Sequence, residues 1–245
     1  MDSKDQIRIA MWSGPRNIST AMMRSFENRD DTSVVDEPFY AYYLSQTGLD
    51  HPGRKEVLES QSTNWDNVVN LITGDIPNNK MIWYQKHMVH HIIDDKDIEW
   101  VKYFNNLFLI RHPKEVIISY SKQSPIDGIK DLGYPQQINL FNKIKNITGD
   151  YPAIFNSKDI LCNPGKSLRV MCKHLKINFS NNMLDWPKGA RKTDGVWYPY
   201  WYKNVIKSSS FKPYKKSNES LPKEYNNLLE ECLQCYDYLN SFKNY

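Results

Sequence analysis

Two short segments hold the residue types best suited to gripping an anion. In Ser13-Gly14-Pro15-Arg16-Asn17-Ile18-Ser19-Thr20 a glycine able to make a tight turn, a guanidinium and two hydroxyls share one loop. The apolar run Ile7–Trp12 precedes it and the helical sequence Ala21–Phe26 follows. A loop between a buried strand and a helix N-terminus aims several N–H groups and the positive end of the helix dipole at one spot. The ATP-binding form G-x-x-x-x-G-K-[ST] is absent, because Ile18 stands where its Lys would precede Ser19, and this disfavours a Mg–ATP site. The second segment is Asn106–Arg111 followed by His112 and Pro113, where Arg111 ends a strand and Pro113 opens a helix. Ser119 then falls about two turns into that helix. An anion lying along the helix flank can touch both, although an Arg at a strand end is also an ordinary ion-pair partner.

Group transfer to a hydroxyl needs cations around the charge that develops and a base for the proton. Arg16, the N–H groups from Asn17 to Thr20, and Lys86 in Gln85-Lys86-His87-Met88 are the candidate cations and donors. Lys86 is expected just past the third strand, at the sheet edge where open α/β sheets bind ligands. Glu37, in Val34-Val35-Asp36-Glu37-Pro38-Phe39, ends the second strand and is a candidate base or a salt-bridge partner for a neighbour such as Arg16. His87, His90 and His91 read as a polar site wall rather than a metal site, because no His-Glu-x-x-His spacing accompanies them.

These residues need a frame. Short apolar runs alternate with helical stretches, which predicts an α/β fold of three layers: a mainly parallel sheet with helices on both faces. The predicted strands are Ile7–Trp12, Thr32–Asp36, Lys80–Gln85, Asn106–Arg111 and Ala153–Asn156, and helices are predicted to begin near Ile18, Gln61, Pro113, Tyr134, Pro164 and Leu221. With 245 residues, no internal repeat and no Gly/Ser linker, residues 1–245 read as one domain. Lys188–Tyr214 is crowded with Trp, Tyr, Lys and Ser and lacks a period, so it reads as a long ordered loop of the kind that lids or binds.

The net charge is +4 without a block of consecutive basic residues, which suits a small anionic ligand and points away from nucleic acid or an anionic membrane. A polar start and the lack of a long apolar run predict a cytoplasmic protein. The four cysteines form no regular framework. Cys232 and Cys235 fall inside Tyr225–Leu239, which reads as an amphipathic helix, so packing is the expected role.

Together the two anion-binding segments resemble the PAPS-dependent sulfotransferase family, whose fold is of the P-loop type. Pro15-Arg16-Asn17-Ile18-Ser19-Thr20 is similar to its 5′-phosphosulfate loop, with Arg16 in the basic position as in the protein-tyrosine and many bacterial members, and with Asn17 and Ile18 in place of the usual Ser-Gly. Arg111 and Ser119 match the family's 3′-phosphate pair. Lys188-Gly189-Ala190-Arg191-Lys192-Thr193-Asp194-Gly195-Val196-Trp197 resembles, more loosely, the basic loop that closes over that phosphate, with Arg191 and Lys192 as ligands.

The resemblance spans about residues 7 to 197 and implies a sulfotransferase with 3′-phosphoadenosine 5′-phosphosulfate (PAPS) as co-substrate, no metal, and a small-molecule acceptor. Gly14 to Thr20, Arg111, Ser119, Arg191 and Lys192 would hold the donor. Glu37 resembles the base of the protein-tyrosine enzymes. His87 resembles the Lys-x-His base of the small-molecule enzymes but stands one residue early, since that spacing falls on Met88. A one-residue shift along a strand turns the side chain to the other face, which favours Glu37. A P-loop kinase using Asp36 for its metal, a catalytically silent nucleotide-binding protein and a homodimer are the other readings left open by the sequence.

Overall fold

Each of the five apolar runs becomes a parallel strand: β1 (Ile7–Ser13), β2 (Thr32–Asp36), β3 (Ile82–Met88), β4 (Asn105–Ile110) and β5 (Ala153–Asn156). Their order is β2-β3-β1-β4-β5. The computed structural model describes residues 6–93, 96–216 and 218–243. The sequence placed β3 from Lys80 to Gln85, but it starts later and runs to Met88. Parallel pairing with β1 carries it there, matching Met11 with Lys86 and Ser13 with Met88. Lys86 and His87 therefore sit within the strand and not past it.

Side chains alternate across the sheet with the two-residue period of a strand, and both faces are covered. On one face Ile9, Met11, Tyr84, Leu109 and Phe155 pack against α1 (Ser19–Glu27), α7 (Ser157–Cys162) and α8 (Pro164–His174). On the other, Ala10, Trp12, Phe108 and Ile154 meet α2 (Tyr40–Thr47), α4 (Trp65–Thr73), α6 (Tyr134–Thr148) and α10 (Asn226–Ser241). This is the expected three-layer α/β architecture. Two further helices are α3 (Arg54–Ser60) and α5 (Pro113–Ser121).

Local chemistry sets where the helices start. Pro113, Tyr134 and Pro164 open helices as predicted, with Asn163 Oδ1 accepting the Lys166 N–H at 3.0 Å. The helix expected near Gln61 begins at Trp65, where Asn64 Oδ1 caps the Asn67 N–H at 3.0 Å. The C-terminal helix begins at Asn226, preceded by a 3₁₀ turn at Lys223–Tyr225. Cys232 is buried on it and Cys235 half-buried, both as free thiols. Among the described residues no helix is long and apolar enough to cross a membrane.

The aperiodic segment 188–214 is irregular apart from the short helix α9 (Tyr198–Trp201). Ion pairs clamp it to α1. Asp194 Oδ2 accepts from Arg24 Nη2 at 2.6 Å, both side chains almost wholly buried, and Arg191 Nη1 lies 2.7 Å from Glu27 Oε2. Removing one member of a buried pair strands the other charge. Asp194→Ala should therefore lower the unfolding free energy by about 3 kcal/mol in a urea titration, near the low end for such losses because Glu27 still touches Arg24.

Candidate active site

The loop after β1 and the end of β4 meet at the sheet's switch point, where strands lie to both sides of β1. Gly14 is required there: a Cβ on it would lie 2.9 Å from the Leu132 carbonyl oxygen. The left-handed residue of the loop is Arg16, with φ of 56°, a costly conformation for a residue with a Cβ. Two bonds hold it. Arg111 Nη1 donates to the Arg16 carbonyl at 2.6 Å, and Asn17 Nδ2 donates to the Leu109 carbonyl at 2.9 Å. With the turn made at Arg16, Ile18 keeps a negative φ of −91° that a side chain tolerates.

Helix α1 then starts at Ser19 with no side-chain cap. The N–H groups of its first turn have no intrahelical acceptor, and Ser19, Thr20 and Ala21 line the cavity. Arg16 Nε donates to Ser119 Oγ at 3.0 Å and its Nη1 to Gln123 Oε1 at 2.9 Å. The predicted elements thus converge: Pro15, Arg16, Asn17, Ile18, Ser19 and Thr20 share a cavity of about 520 Å³ with Arg111 and Ser119. Burial, and next the Arg111 charge, lower the Arg16 pKa from the usual guanidinium value. Arg111 is also an ion-pair partner at the strand end, with Glu115 Oε2 3.0 Å from its Nε. The Arg16 guanidinium itself points to α5.

At the other end of the cavity Lys86 enters from β3, buried to 1% exposure. All three of its N–H donors are taken: Asp36 Oδ1 at 2.9 Å, Tyr202 Oη at 2.7 Å, and Glu37 Oε1. Glu37, at φ of 42°, is the second strained non-glycine of the site. Its Oε2 lies 3.9 Å from His91 Nε2. Burial pushes the Glu37 pKa up, Lys86 opposes this, and Asp36 adds to it. Burial disfavours the Lys86 charge, yet Asp36 and Glu37 outweigh it and hold the ammonium well above its usual range.

The three histidines separate. His87 lies on the opposite face of β3, stacked on Trp12 at 4.5 Å and bonded to Gln85 Oε1 at 3.1 Å, and does not reach the cavity. The parity of the strand excludes it as the base, while Met88 and Lys86 face the site. His90 and His91 do line the cavity, and His91 stacks on Tyr40 at 4.7 Å. Among the described residues no group of three or more His, Cys, Asp or Glu is placed to hold a metal.

Arg191 and Lys192, expected at the donor, are not at the cavity either. Arg191 is spent on Glu27 and Lys192 is exposed. Lys212, with Ser208 and Ser210 from the same loop, lines the cavity in their place. The Trp197–Tyr202 run was a candidate aromatic wall, but Tyr202 was not singled out as a partner of Lys86. The run Lys207-Ser208-Ser209-Ser210-Phe211-Lys212, hydroxyls between two cations, was the available signal for the first group. Nothing local in sequence marks one Tyr of the aromatic cluster as the partner of Lys86.

A family model described as a sulfotransferase domain matches residues 7–242. Two proteins of Arabidopsis thaliana are similar in sequence. Branched-chain-amino-acid aminotransferase-like protein 1 is 36% identical over 95% of this chain, and its paralogue, protein 2, is 33% identical over 94%. The match covers 41% of each, so the chain spans about two fifths of the length of these curated relatives. Their aminotransferase-like name belongs to those longer chains. In fold, the sulfotransferase domain from the Synechococcus PCC 7002 olefin synthase superposes with a TM-score of 0.57 at 14% identity, covering 98% of this chain and 97% of that one. Mouse sulfotransferase SULT7A1, complexed with PAP, gives 0.53 at 11% identity, covering 96% and 86%.

The buried imidazoles make stability depend on pH. Burial holds the pKa of His87 and His90 down at about 3, and that of His91 well below 6.5, so all three are neutral in the folded chain. The unfolded chain protonates them below 6.5. Their contribution is therefore fully present above that value and lost as the pH falls, at up to about 4 kcal/mol per pH unit for three such groups. Urea midpoints should drop between pH 7.5 and pH 5.5, and the double variant His90→Asn/His91→Asn should remove most of that drop. An unchanged slope would place the sensitivity elsewhere.

Proposed function

The chain belongs to the sulfotransferase family, and from that premise we propose that it moves a sulfuryl group from PAPS to a hydroxyl or amine of a small acceptor. The observation that carries the reading is the convergence of the Arg16 loop, Arg111 and Ser119 on one cavity whose far end holds Glu37 and Lys86. The residues present fit such a donor. The uncapped α1 N-terminus and the adjacent guanidiniums of Arg16 and Arg111 supply donors and charge for two separated anionic groups. When bound, PAPS supplies an activated sulfuryl group on a phosphate leaving group.

The chain's own residues divide the work. The first-turn N–H groups, with the Ser19 and Thr20 hydroxyls, orient the phosphosulfate and stabilise charge on the leaving oxygen. Arg111 and Ser119 fix the second phosphate and so the register of the donor along α5. Glu37 takes the acceptor proton through Oε2, the oxygen that Lys86 does not occupy. A raised carboxylate proton affinity suits a general base. Lys86 acts differently from the expectation. With no donor to spare it holds the two carboxylates in place and lends positive charge to the site, and it reaches the sulfuryl oxygens only if Glu37 releases it.

Phosphoryl transfer fits less well. Besides the missing Lys before Ser19, the carboxylate required for a metal would be Asp36, which is already committed to Lys86, to the Tyr202 hydroxyl at 2.6 Å and to the Gly195 N–H at 3.2 Å.

Arg111→Ala and Ser119→Ala should each weaken binding of 3′-phosphoadenosine 5′-phosphate at least about tenfold by calorimetry, the loss of one charge-assisted or well-placed hydrogen bond. Unchanged affinity in both overturns the donor assignment. Glu37→Gln should keep donor affinity within about twofold and cut turnover by about 10²–10⁴, the usual weight of a general base. Turnover is read by mass spectrometry as an added sulfo group on acceptors screened with PAPS.

A further inference from the structure

Two carboxylates, Asp36 and Glu37, adjoin a single buried ammonium, so the cluster carries one negative charge too many for its surroundings. Their partners differ. Asp36 Oδ1 accepts from Lys86 at 2.9 Å, and its Oδ2 accepts from the Tyr202 hydroxyl at 2.6 Å and from the Gly195 N–H at 3.2 Å. Glu37 Oε1 accepts from Lys86, its Oε2 lies 3.9 Å from His91 Nε2, and the residue lines the cavity. Hydrogen bonds donated to a carboxylate stabilise its ionised form, and a neighbouring like charge destabilises it. The Tyr202 hydroxyl can donate to Asp36 because its lone pairs receive Lys86 Nζ at 2.7 Å and Trp197 Nε1 at 3.3 Å.

We propose that Asp36 and Tyr202 are positioning residues for the reaction: they pin the Lys86 ammonium and leave Glu37 as the carboxylate of the pair that receives the acceptor's proton. The inference rests on Glu37 being the base. In the transfer the acceptor's proton passes to Glu37 Oε2, its oxygen bonds to sulfur, and the bridging S–O bond breaks with its electrons going to the phosphate oxygen. Atoms and charge balance with no further reactant.

The groups around Glu37 are few. Asp36 comes from β2, Lys86 from β3, His91 from the turn after it, Tyr40 from α2, and Tyr202 from the segment after α9. Removing the Asp36 charge takes away a like charge and frees Lys86 to lean on Glu37, and both effects lower the proton affinity of Glu37. The acidic limb of the pH profile should move down.

Tyr202 also belongs to the loop that brings Ser208, Ser210 and Lys212 to the wall of the cavity that the donor would share. A purely structural role, anchoring that loop, would damage donor binding along with turnover. A positioning role would not.

The test uses full-length Asp36→Asn and Tyr202→Phe, with kcat/KM followed from pH 5 to 9 and donor affinity measured by calorimetry with 3′-phosphoadenosine 5′-phosphate. Asp36→Asn is expected to shift the acidic limb down by about one pH unit or more. Tyr202→Phe is expected to lower kcat about tenfold with donor affinity within about twofold. An unmoved limb in Asp36→Asn overturns the inference, as does a loss of donor affinity in Tyr202→Phe that matches its loss of kcat. Should Asp36→Asn fail to fold, Tyr202→Phe decides alone, since it removes one oxygen atom. Glu37→Gln separates the levels: a wild-type rate there ends the base reading and this inference with it, whereas a dead Glu37→Gln with an unmoved Asp36→Asn limb ends only this inference.

Discussion

An ammonium with 1% exposure on β3, between β2 and β1 of a parallel sheet, is the constraint around which the rest of the site is organised. Burying a charge is costly unless it is paired and every donor is satisfied. Lys86 meets that condition with partners from three places: Asp36 at the end of β2, Glu37 one residue beyond, and Tyr202 far along the chain. The β2–β3 register puts Asp36 directly opposite Lys86, so the first partner follows from strand pairing. The second needs Glu37 in a left-handed conformation, its N–H bonded to the Lys86 carbonyl at 2.9 Å. The third needs a loop held against the sheet.

That loop explains a division of labour among its basic residues. Arg191 and Asp194 spend their charges on Glu27 and Arg24 of α1, and the Thr193 hydroxyl bonds Glu27 as well. The first part of the loop is thereby fixed near the C-terminal end of α1. The Gly195 N–H then reaches Asp36, Trp197 is buried, and the chain continues to the cavity, which Lys212 lines. The Gly-containing basic stretch Lys188–Trp197 does not line the cavity: Arg191 and Asp194 serve docking, and the cavity-lining cation, Lys212, comes later in the chain.

Much of this was legible in sequence because it rests on short-range rules. The strand periods, Pro at helix starts, and the strand-loop-helix of Ile7–Phe26 are local signals, and β2 and β5 fall on Thr32–Asp36 and Ala153–Asn156 as the pattern indicates. Strand parity favoured Glu37 over His87 as the base, but the reading of His87 as part of a polar site wall did not follow that parity through: His87 stands behind β3 against Trp12. Three things were not legible. The extent of β3 depends on the length of its neighbour β1, which no window on β3 reveals. The short helices α2, α3 and α7 are set by packing and by caps such as Asn156. The choice of Tyr202 among many aromatics depends on contacts far apart in sequence.

The two ends of the cavity differ electrostatically, and the difference orders the chemistry. Arg16 and Arg111 meet through the 2.6 Å bond from Arg111 Nη1 to the Arg16 carbonyl, with Glu115 Oε2 3.0 Å from Arg111 Nε, and the Arg111 charge lowers the Arg16 pKa. At the acceptor end the walls are neutral: His90 and His91 are kept uncharged by burial, Tyr40 is pushed to a higher pKa by burial and Glu37, and its hydroxyl bonds His51 Nδ1 at 2.9 Å. Neither wall competes with Glu37 for the acceptor's proton: the imidazoles are far weaker bases there than in water, and the phenol is held protonated. In the reaction proposed above, the acceptor's proton therefore goes to Glu37, whose Oε1 is held by Lys86 and whose Oε2 lies 3.9 Å from His91 Nε2.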